Sequence, residues 1–262
     1  MKTTVVVPWH NRNQLEAFID AWKIPLRDER VLFQHDHAKE GCATTKNKGV
    51  KQAINDGADI VIVLDDDCFP HEGQTLQQFI FAHQQALLPK PVLMFDAVTD
   101  PPSRGTPYFN RHVTMPVAAA MGFWSHIGDY DAPGQLVHGA TKPMTFDTST
   151  RFGRYFPLCG MNLSFRAEEW PWCRFVNVPR FDDIWQGFLW QKKAYANRQC
   201  FNLGGPTVRH SRQSNVWANL RDETANLERN ETLWQEIDAM PLKSYQEMIA
   251  LVEGHVDFDP RG

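Results

Sequence analysis

The feature that most constrains the fold is a regular alternation of strand-like and helix-like segments over the first two-fifths of the chain. Residues 3–7 and 31–33 are short runs of β-branched and apolar residues, and Ile60–Leu64 is apolar throughout, as expected of a strand buried on both faces. Residues 91–95 predict a fourth strand. Segments with helical spacing separate the strands, at 13–22, 44–54 and 74–88. This succession predicts an α/β fold with a parallel sheet and helices on both faces.

The rest of the chain is less regular. Residues 96–157 are dense in Pro, Gly, Thr and aromatic residues, and they predict short strands and loops. Residues 183–196 predict another helix, a short strand leads to His210, and an acidic tail rich in Trp, Leu and Glu predicts further helices. We therefore expect a catalytic domain at 1–212, with a Rossmann-type, mostly parallel sheet, and a helical C-terminal extension at 213–262 packed on it.

The length and composition indicate a domain with its own hydrophobic core, and the charge argues against a general polyanion-binding surface. A chain of 262 residues, 42% of them hydrophobic, can bury a core without disulfides. The net charge of −4 argues against a surface that binds a polyanion everywhere. Residues 221–262 hold ten acidic and four basic residues, a balance of −6, which leaves +2 on residues 1–220. A local basic groove on that part of the chain is therefore compatible with the sequence.

The apolar stretches and the cysteines bear on where the protein is located. The longest mostly apolar stretch, residues 115–124, is about half of the roughly 20 residues that a membrane-spanning helix needs. Five widely spread cysteines without a CxxC pair are typical of reduced thiols. No secretory signal is visible at the start of the sequence. These observations predict a cytoplasmic protein without a membrane span.

Three consecutive aspartates, Asp65, Asp66 and Asp67, directly follow the apolar run at Ile60–Leu64. In open α/β sheets, ligands bind at the carboxyl ends of the strands. Burial and mutual repulsion raise the pKa values of adjacent carboxylates, so we expect a divalent cation to neutralise them, and oxygen ligands suit Mg2+ or Mn2+. Side-chain alternation places Asp65 and Asp67 on one side, as metal ligands. A solvated turn after a strand is the alternative.

A metal held by only one or two carboxylates completes its shell with phosphate oxygens and water, so the predicted ligand is a diphosphate in a nucleotide. The absence of GxxxxGK[ST] from the sequence excludes a P-loop enzyme. No GxGxxG follows the first strand, which disfavours a dinucleotide, and we find no flavin fingerprint. A sugar nucleotide fits better, because the metal stabilises the diphosphate as a leaving group.

Two later motifs complete such a site. Asp182 and Asp183 lie at the start of a predicted helix, where the helix dipole favours their ionised forms. One of them is expected to act as a base or to position an acceptor, while the other reading is a helix N-cap. His210 would offer an imidazole to the metal, with Arg209 or Arg212 against phosphate.

Six segments resemble the reversibly glycosylated polypeptide family, whose characterised members include plant UDP-arabinopyranose mutases and which has a GT-A type nucleotide-sugar fold. They occur in the family's order and span roughly residues 4–240. CGMN followed by RFDDIW and HS at these spacings is specific. The segments are VVVP at 5–8, IVLDDDCF at 62–69, DYDAP at 129–133, FPLCGMNLSF at 156–165, PRFDDIWQG at 179–187 and RHSRQSN at 209–215.

The resemblance implies roles for individual residues. The three aspartates at 65–67 would be the metal and diphosphate motif, and His210 would be the late metal ligand. Asp182 and Asp183 would face the reacting carbon. The residues expected near the nucleotide or beside the transferred sugar are Pro8, Asp36, Lys46, Asn47, Cys159, Gly160, Met161 and Asn162.

Two departures from the family keep two activities open. The plant members are longer than this chain. The arginine that is glycosylated in the mutases corresponds to a position near His112, one residue from Arg111, where this sequence differs from the family motif. We therefore predict a metal-dependent glycosyltransferase that moves a sugar, for example the pentose arabinose, from UDP to an acceptor hydroxyl. The acceptor is open between a glycan, a protein and a hydroxymethylated nucleobase in DNA.

The alternative is a UDP-arabinopyranose mutase-like isomerase, without flavin, that interconverts pyranose and furanose nucleotide sugars. A third reading is a non-catalytic nucleotide-sugar-binding partner in a larger assembly. Whether several copies of the chain associate is left open.

Overall fold

The computed structural model describes residues 1–25, 27–37, 39–95, 103–107, 111–139, 143–211 and 215–253. A short 3-10 helix lies at Ala167–Glu169. The helices are α1 (Arg12–Trp22), α2 (Cys42–Asn55), α3 (Leu76–Ala86), α4 (Ala132–His138), α5 (Asp182–Ala196), α6 (Val216–Ala239) and α7 (Tyr245–Glu253). The strands are β1 (Thr3–Trp9), β2 (Val31–His35), β3 (Ile60–Leu64), β4 (Cys68–Phe69), β5 (Lys90–Leu93), β6 (His112–Met115), β7 (Val117–His126), β8 (Ser149–Arg151), β9 (Asn162–Arg166) and β10 (Cys200–His210).

The central sheet places its strands in the order β2-β1-β3-β9-β7-β10-β4, with β8 paired to β10. Strand β1 is parallel to β2 and β3, and β7 is parallel to β10, whereas β9 runs antiparallel to both β3 and β7. Five strands therefore point the same way in the described part of the sheet. The predicted α/β architecture, a mostly parallel central sheet flanked by helices, is confirmed, and its antiparallel strands are β4, β8 and β9.

One predicted strand has a different place from the one expected. The segment at 91–95 contributes to β5, but β5 pairs antiparallel with β6 in a separate two-stranded sheet. The main sheet instead contains β7, which comes from the stretch that shows no clean period in the sequence. The first eight residues of β7 are buried. Burial on both faces removes the alternation of apolar and polar residues by which a strand is recognised.

Helix α2 lies close against β1 because of a glycine. A Cβ on Gly49 would come within 2.5 Å of Val6 Cγ1, so no other residue allows this approach without a shift. The helix begins after Gly41, whose φ of +95° turns the chain, and Asp36 accepts hydrogen bonds from Glu40 N and Gly41 N at 2.8 and 3.1 Å. The close packing brings Lys46, one turn before Gly49, to the carboxyl end of the sheet.

The C-terminal helices pack on α5 through an apolar cluster that includes Trp185, Leu233, Ile237 and Met248. Trp185 Nε1 also donates a hydrogen bond to Asn230 Oδ1 at 3.0 Å. The predicted domain boundary at 212 falls among residues 212–214, outside the described part of the chain, and it stays a prediction. Over the described ranges, none of the helices combines the length and the apolar character needed to cross a membrane.

Candidate active site

A cavity of about 900 Å3 lies where β1, β2 and β3 end. Its volume is within the range of about 300–1,000 Å3 that is typical of small-molecule sites. The sheet topology brings motifs that are distant in sequence to this one edge, as expected for strands that share a direction. The predicted site residues that line the cavity are Pro8, Asp36, Lys46, Asp65, Asp66, Asp67, Cys159, Met161, Asp182, Asp183 and His210.

Lys46 is buried at the centre of one wall of the cavity. Its Nζ lies 2.9 Å from Asp65 Oδ1 and 3.1 Å from Asp65 Oδ2, and it donates to Gly160 O at 3.3 Å. The ammonium also lies 5.2 Å from the centre of the Phe175 ring. Burial raises the pKa of Asp65, and the charge of Lys46 opposes that rise. Lys46 therefore acts as a built-in counter-ion for the first aspartate of the trio.

Asp182 and Asp183 differ in their surroundings although they are adjacent. Asp183 Oδ2 accepts a hydrogen bond from Gly160 N at 2.7 Å, and Asp183 Oδ1 accepts one from Ile184 N at 2.8 Å. Both oxygens of Asp183 are thus held by backbone donors. Burial and, next, the charge of Asp183 raise the pKa of Asp182 to about 7, while Lys46 opposes the rise. Asp182 can therefore change its protonation state near neutral pH.

Asp67 and His210 come together because β4 pairs with β10. His210 Nδ1 donates to Ile127 O at 3.0 Å, and His210 Nε2 lies 3.7 Å from Asp67 Oδ2. Burial lowers the pKa of His210, but the nearby carboxylate of Asp67 outweighs this effect, and the net shift is upward. The imidazole is thus fixed with one nitrogen toward the aspartate.

The predicted metal trio of Asp65, Asp67 and His210 is not assembled as a metal site. In the described ranges, no group of three or more His, Cys, Asp or Glu side chains is placed to hold a metal ion. Asp65 is paired with Lys46, whereas Asp67 and His210 lie next to each other, and the shared role of the three as metal ligands stays a prediction.

Four predicted donor-binding residues are not part of the cavity wall. The amide of Asn47 is bonded at both ends to the backbone of Phe175, at 2.8 and 2.9 Å. Asn162 is fully buried, and its amide contacts Phe123 O, Pro206 O and His83 Nε2 at 2.8–3.1 Å. Gly160 acts only through its backbone, which holds Lys46 and Asp183. Arg209 lies over the Phe69 ring and lines a second, smaller cavity of about 620 Å3.

Two further sequence expectations concern arginines. Arg212 lies outside the residues that the structure describes. Arg111, next to the expected position of the glycosylated arginine, is not part of the cavity wall; its Nε donates to Pro107 O near the two-stranded sheet.

Other cavity residues were missed by sequence reasoning, among them Trp9, Asp129, Arg180 and Asn219. Asp129 stands in the DYDAP segment, which therefore carried a signal for it. Burial raises the pKa of Asp129, and the charges of Arg180 and His210 oppose that rise. Trp9 follows Pro8, and its ring stacks on His35 with centroids 3.9 Å apart. Asn219 comes from α6, and no local pattern in the sequence indicates its place.

The cavity wall is strongly acidic. Among the described residues that line it, nine are aspartate or glutamate and four are lysine or arginine, a balance of −5 when all carboxylates are ionised. A basic groove is not found at this site. An anionic ligand is repelled here unless a cation accompanies it.

Comparisons with known proteins found both a distant structural likeness and sequence relatives. The structure of glucosyl-3-phosphoglycerate synthase from Mycobacterium tuberculosis superposes with a TM-score of 0.43 at 13% identity, covering 92% of this chain and 82% of that one. Probable UDP-arabinopyranose mutase 1 of Pisum sativum is 32% identical over 205 residues, which are 67% of this chain and 52% of the relative. UDP-arabinopyranose mutase 3 of Arabidopsis thaliana is 30% identical over 202 residues, with coverages of 69% and 53%.

The chain spans about half the length of the curated relatives that it matches. The sequence profile of the reversibly glycosylated polypeptides matches residues 57–250, a segment that holds the aspartate trio, the Asp182–Asp183 pair and His210. This chain therefore belongs to the reversibly glycosylated polypeptide family.

Proposed function

We propose that this protein binds a UDP-sugar together with a divalent cation in the acidic cavity, and that it interconverts the pyranose and furanose forms of UDP-arabinose. Support comes from the family and from the relatives named as UDP-arabinopyranose mutases. The proposal depends on one observation: the aspartate trio, Asp182 and His210 line the same cavity at the ends of parallel strands.

The charge of the cavity supports a role for Mn2+ or Mg2+. A nucleoside diphosphate does not enter a wall with a balance of −5 without a compensating cation. Asp67 and His210 offer an oxygen and a nitrogen ligand close together. These two residues fit a cation whose remaining ligands are diphosphate oxygens and water. The bound cation would stabilise charge on the diphosphate.

Asp182 is the residue best suited to move a proton. A change of ring size requires one sugar hydroxyl to lose a proton while the former ring oxygen gains one. A carboxyl with a pKa of about 7 can accept and return a proton near neutral pH. Asp183 is less suited, because both of its oxygens are engaged by backbone N–H groups. We assign Asp183 the role of fixing Gly160 and the start of α5.

The test is incubation with UDP-arabinopyranose and Mn2+, followed by chromatography of the nucleotide sugars. We expect UDP-arabinofuranose to appear, and the reverse reaction to start from that product. Asp182→Asn should bind UDP and lose turnover, while Asp222→Asn, which alters an exposed carboxylate paired with Arg221 on α6, should react as the wild type does. Failure of the wild type to convert either ring form contradicts the proposal.

Transfer of the sugar to an acceptor hydroxyl is a second candidate. The cavity volume lies near the upper end of the range for small-molecule sites, which leaves room for an acceptor beside the donor. The acidic wall disfavours a nucleic acid in that place, because like charges repel. Incubation with labelled UDP-arabinose and glycans, proteins or hydroxymethylated DNA distinguishes these acceptors. Ring isomerisation with label in none of them contradicts transfer.

A further inference from the structure

Arg180 stands in a backbone conformation that its residue type does not favour. Its φ is +66°, in the left-handed region that non-glycine residues enter at a cost in free energy. The residue lies just before α5, and it lines the cavity. Glycine or asparagine would fit this backbone better, so the side chain of Arg180 requires an explanation.

Glu223, on α6, holds the Arg180 guanidinium. Glu223 Oε1 accepts a hydrogen bond from Arg180 Nε at 3.0 Å, and Glu223 Oε2 accepts one from Ala132 N at 2.7 Å. Glu223 is only 2% exposed, so its carboxylate is fixed between the start of α4 and the loop before α5. The contact uses Nε alone. The two terminal amino groups of Arg180 have no hydrogen-bond partner within the described ranges.

Arg180 lines the cavity that also holds the expected metal ligands. Asp67, Asp129 and His210 line the same cavity as Arg180. Lys46 is already engaged by Asp65 and Gly160 O. Among the described residues, Arg180 therefore brings to the cavity N–H donors that are not engaged, in the planar arrangement that suits two phosphate oxygens.

We propose that Arg180 binds a phosphate group of the nucleoside diphosphate, and that Glu223 is the positioning residue that directs the guanidinium toward it. This inference rests on the proposed function, because it requires a UDP-sugar in the cavity. It makes α6 a part of the binding site, although this helix belongs to the predicted C-terminal extension.

The test compares UDP with uridine, which lacks phosphate, by calorimetric titration in Mn2+. Arg180→Gln should weaken UDP binding by about tenfold to a hundredfold, the usual effect of losing a charge-assisted hydrogen bond, and leave uridine binding unchanged. Glu223→Gln keeps an acceptor for Ala132 N, and it should weaken UDP binding to a smaller extent. Arg198→Gln is the matched control, since Arg198 is exposed, has a φ of +55° and is not part of the cavity wall.

The outcomes separate the two levels of the argument. If the wild type binds UDP and Arg180→Gln binds it equally well, the inference is overturned and the proposed function stands. If the wild type does not bind UDP, the proposed function fails and the inference fails with it. Equal losses for UDP and uridine also overturn the inference, because they indicate a general distortion of the cavity. If Arg180→Gln does not fold, as judged by thermal unfolding, Arg180→Lys is compared in the same way, and it should weaken UDP more than uridine.

Discussion

Replacement of Asp182 by asparagine should stabilise the protein in a pH-dependent way. Burial and the neighbouring charge of Asp183 raise the pKa of Asp182 from 3.8 to about 7. Because the folded pKa is the higher one, the folded state holds a proton that the unfolded chain releases between these two values. The free energy of unfolding therefore falls as pH rises through this window, and the whole penalty is present above pH 7.

The full shift corresponds to at most about 4 kcal/mol. We expect about 2 kcal/mol, because the Asp182 side chain is partly exposed and its titration is coupled to that of Asp183. Asparagine cannot ionise, so Asp182→Asn should raise the free energy of unfolding by this amount at pH 8. At pH 5 the gain should be smaller by about 0.6 kcal/mol, since part of the penalty has not yet developed in the wild type.

Urea unfolding of the wild type and of Asp182→Asn at pH 5 and pH 8 measures the difference. Asp222→Asn serves as the control, because it makes the same substitution at an exposed carboxylate on α6. A change in stability that is the same at both pH values for Asp182→Asn would refute the argument, since it would mean that the carboxyl does not titrate in this window.

Three other perturbations have defined outcomes. Chelation of divalent cations, or Asp67→Asn, should weaken UDP binding at least about tenfold, because one metal ligand supports several kcal/mol of charge stabilisation; unchanged calorimetric affinity contradicts the metal assignment. Lys46→Met should lower the free energy of unfolding by about 3 kcal/mol, since Asp65 keeps a mostly buried charge without its partner; an unchanged urea midpoint contradicts that pairing. Gly122→Ala should lower the free energy of unfolding by at least about 2 kcal/mol, because the new Cβ on β7 comes within 2.3 Å of Asn162 Nδ2 on β9. A wild-type melting temperature would show that β7 and β9 can move apart at this position.

Strands and helices could be predicted from the sequence where a local residue pattern is followed or preceded by residues that end or begin such an element. Strand β3 is found at Ile60–Leu64, as expected of an apolar run that ends at carboxylates. Helix α5 begins at Asp182, one residue before the predicted start. The partner of a strand is not a local property, however. Nothing within residues 91–95 distinguishes a strand of the parallel sheet from β5, which pairs with β6 across a long connection.

The same distinction explains which site residues could be predicted. The aspartate trio and Asp182 were found because a strand end and a helix start place their side chains at one edge of the sheet, whatever the rest of the chain does. Asn47 stands one position after Lys46 on the same helix, yet its amide is used up by Phe175, 128 residues further along the chain. A motif therefore locates the wall of a site, while long-range hydrogen bonds decide which of its side chains remain free for a ligand. By that criterion Arg180, anchored at one nitrogen by Glu223 from 43 residues away, belongs to the site more firmly than Asn47 does.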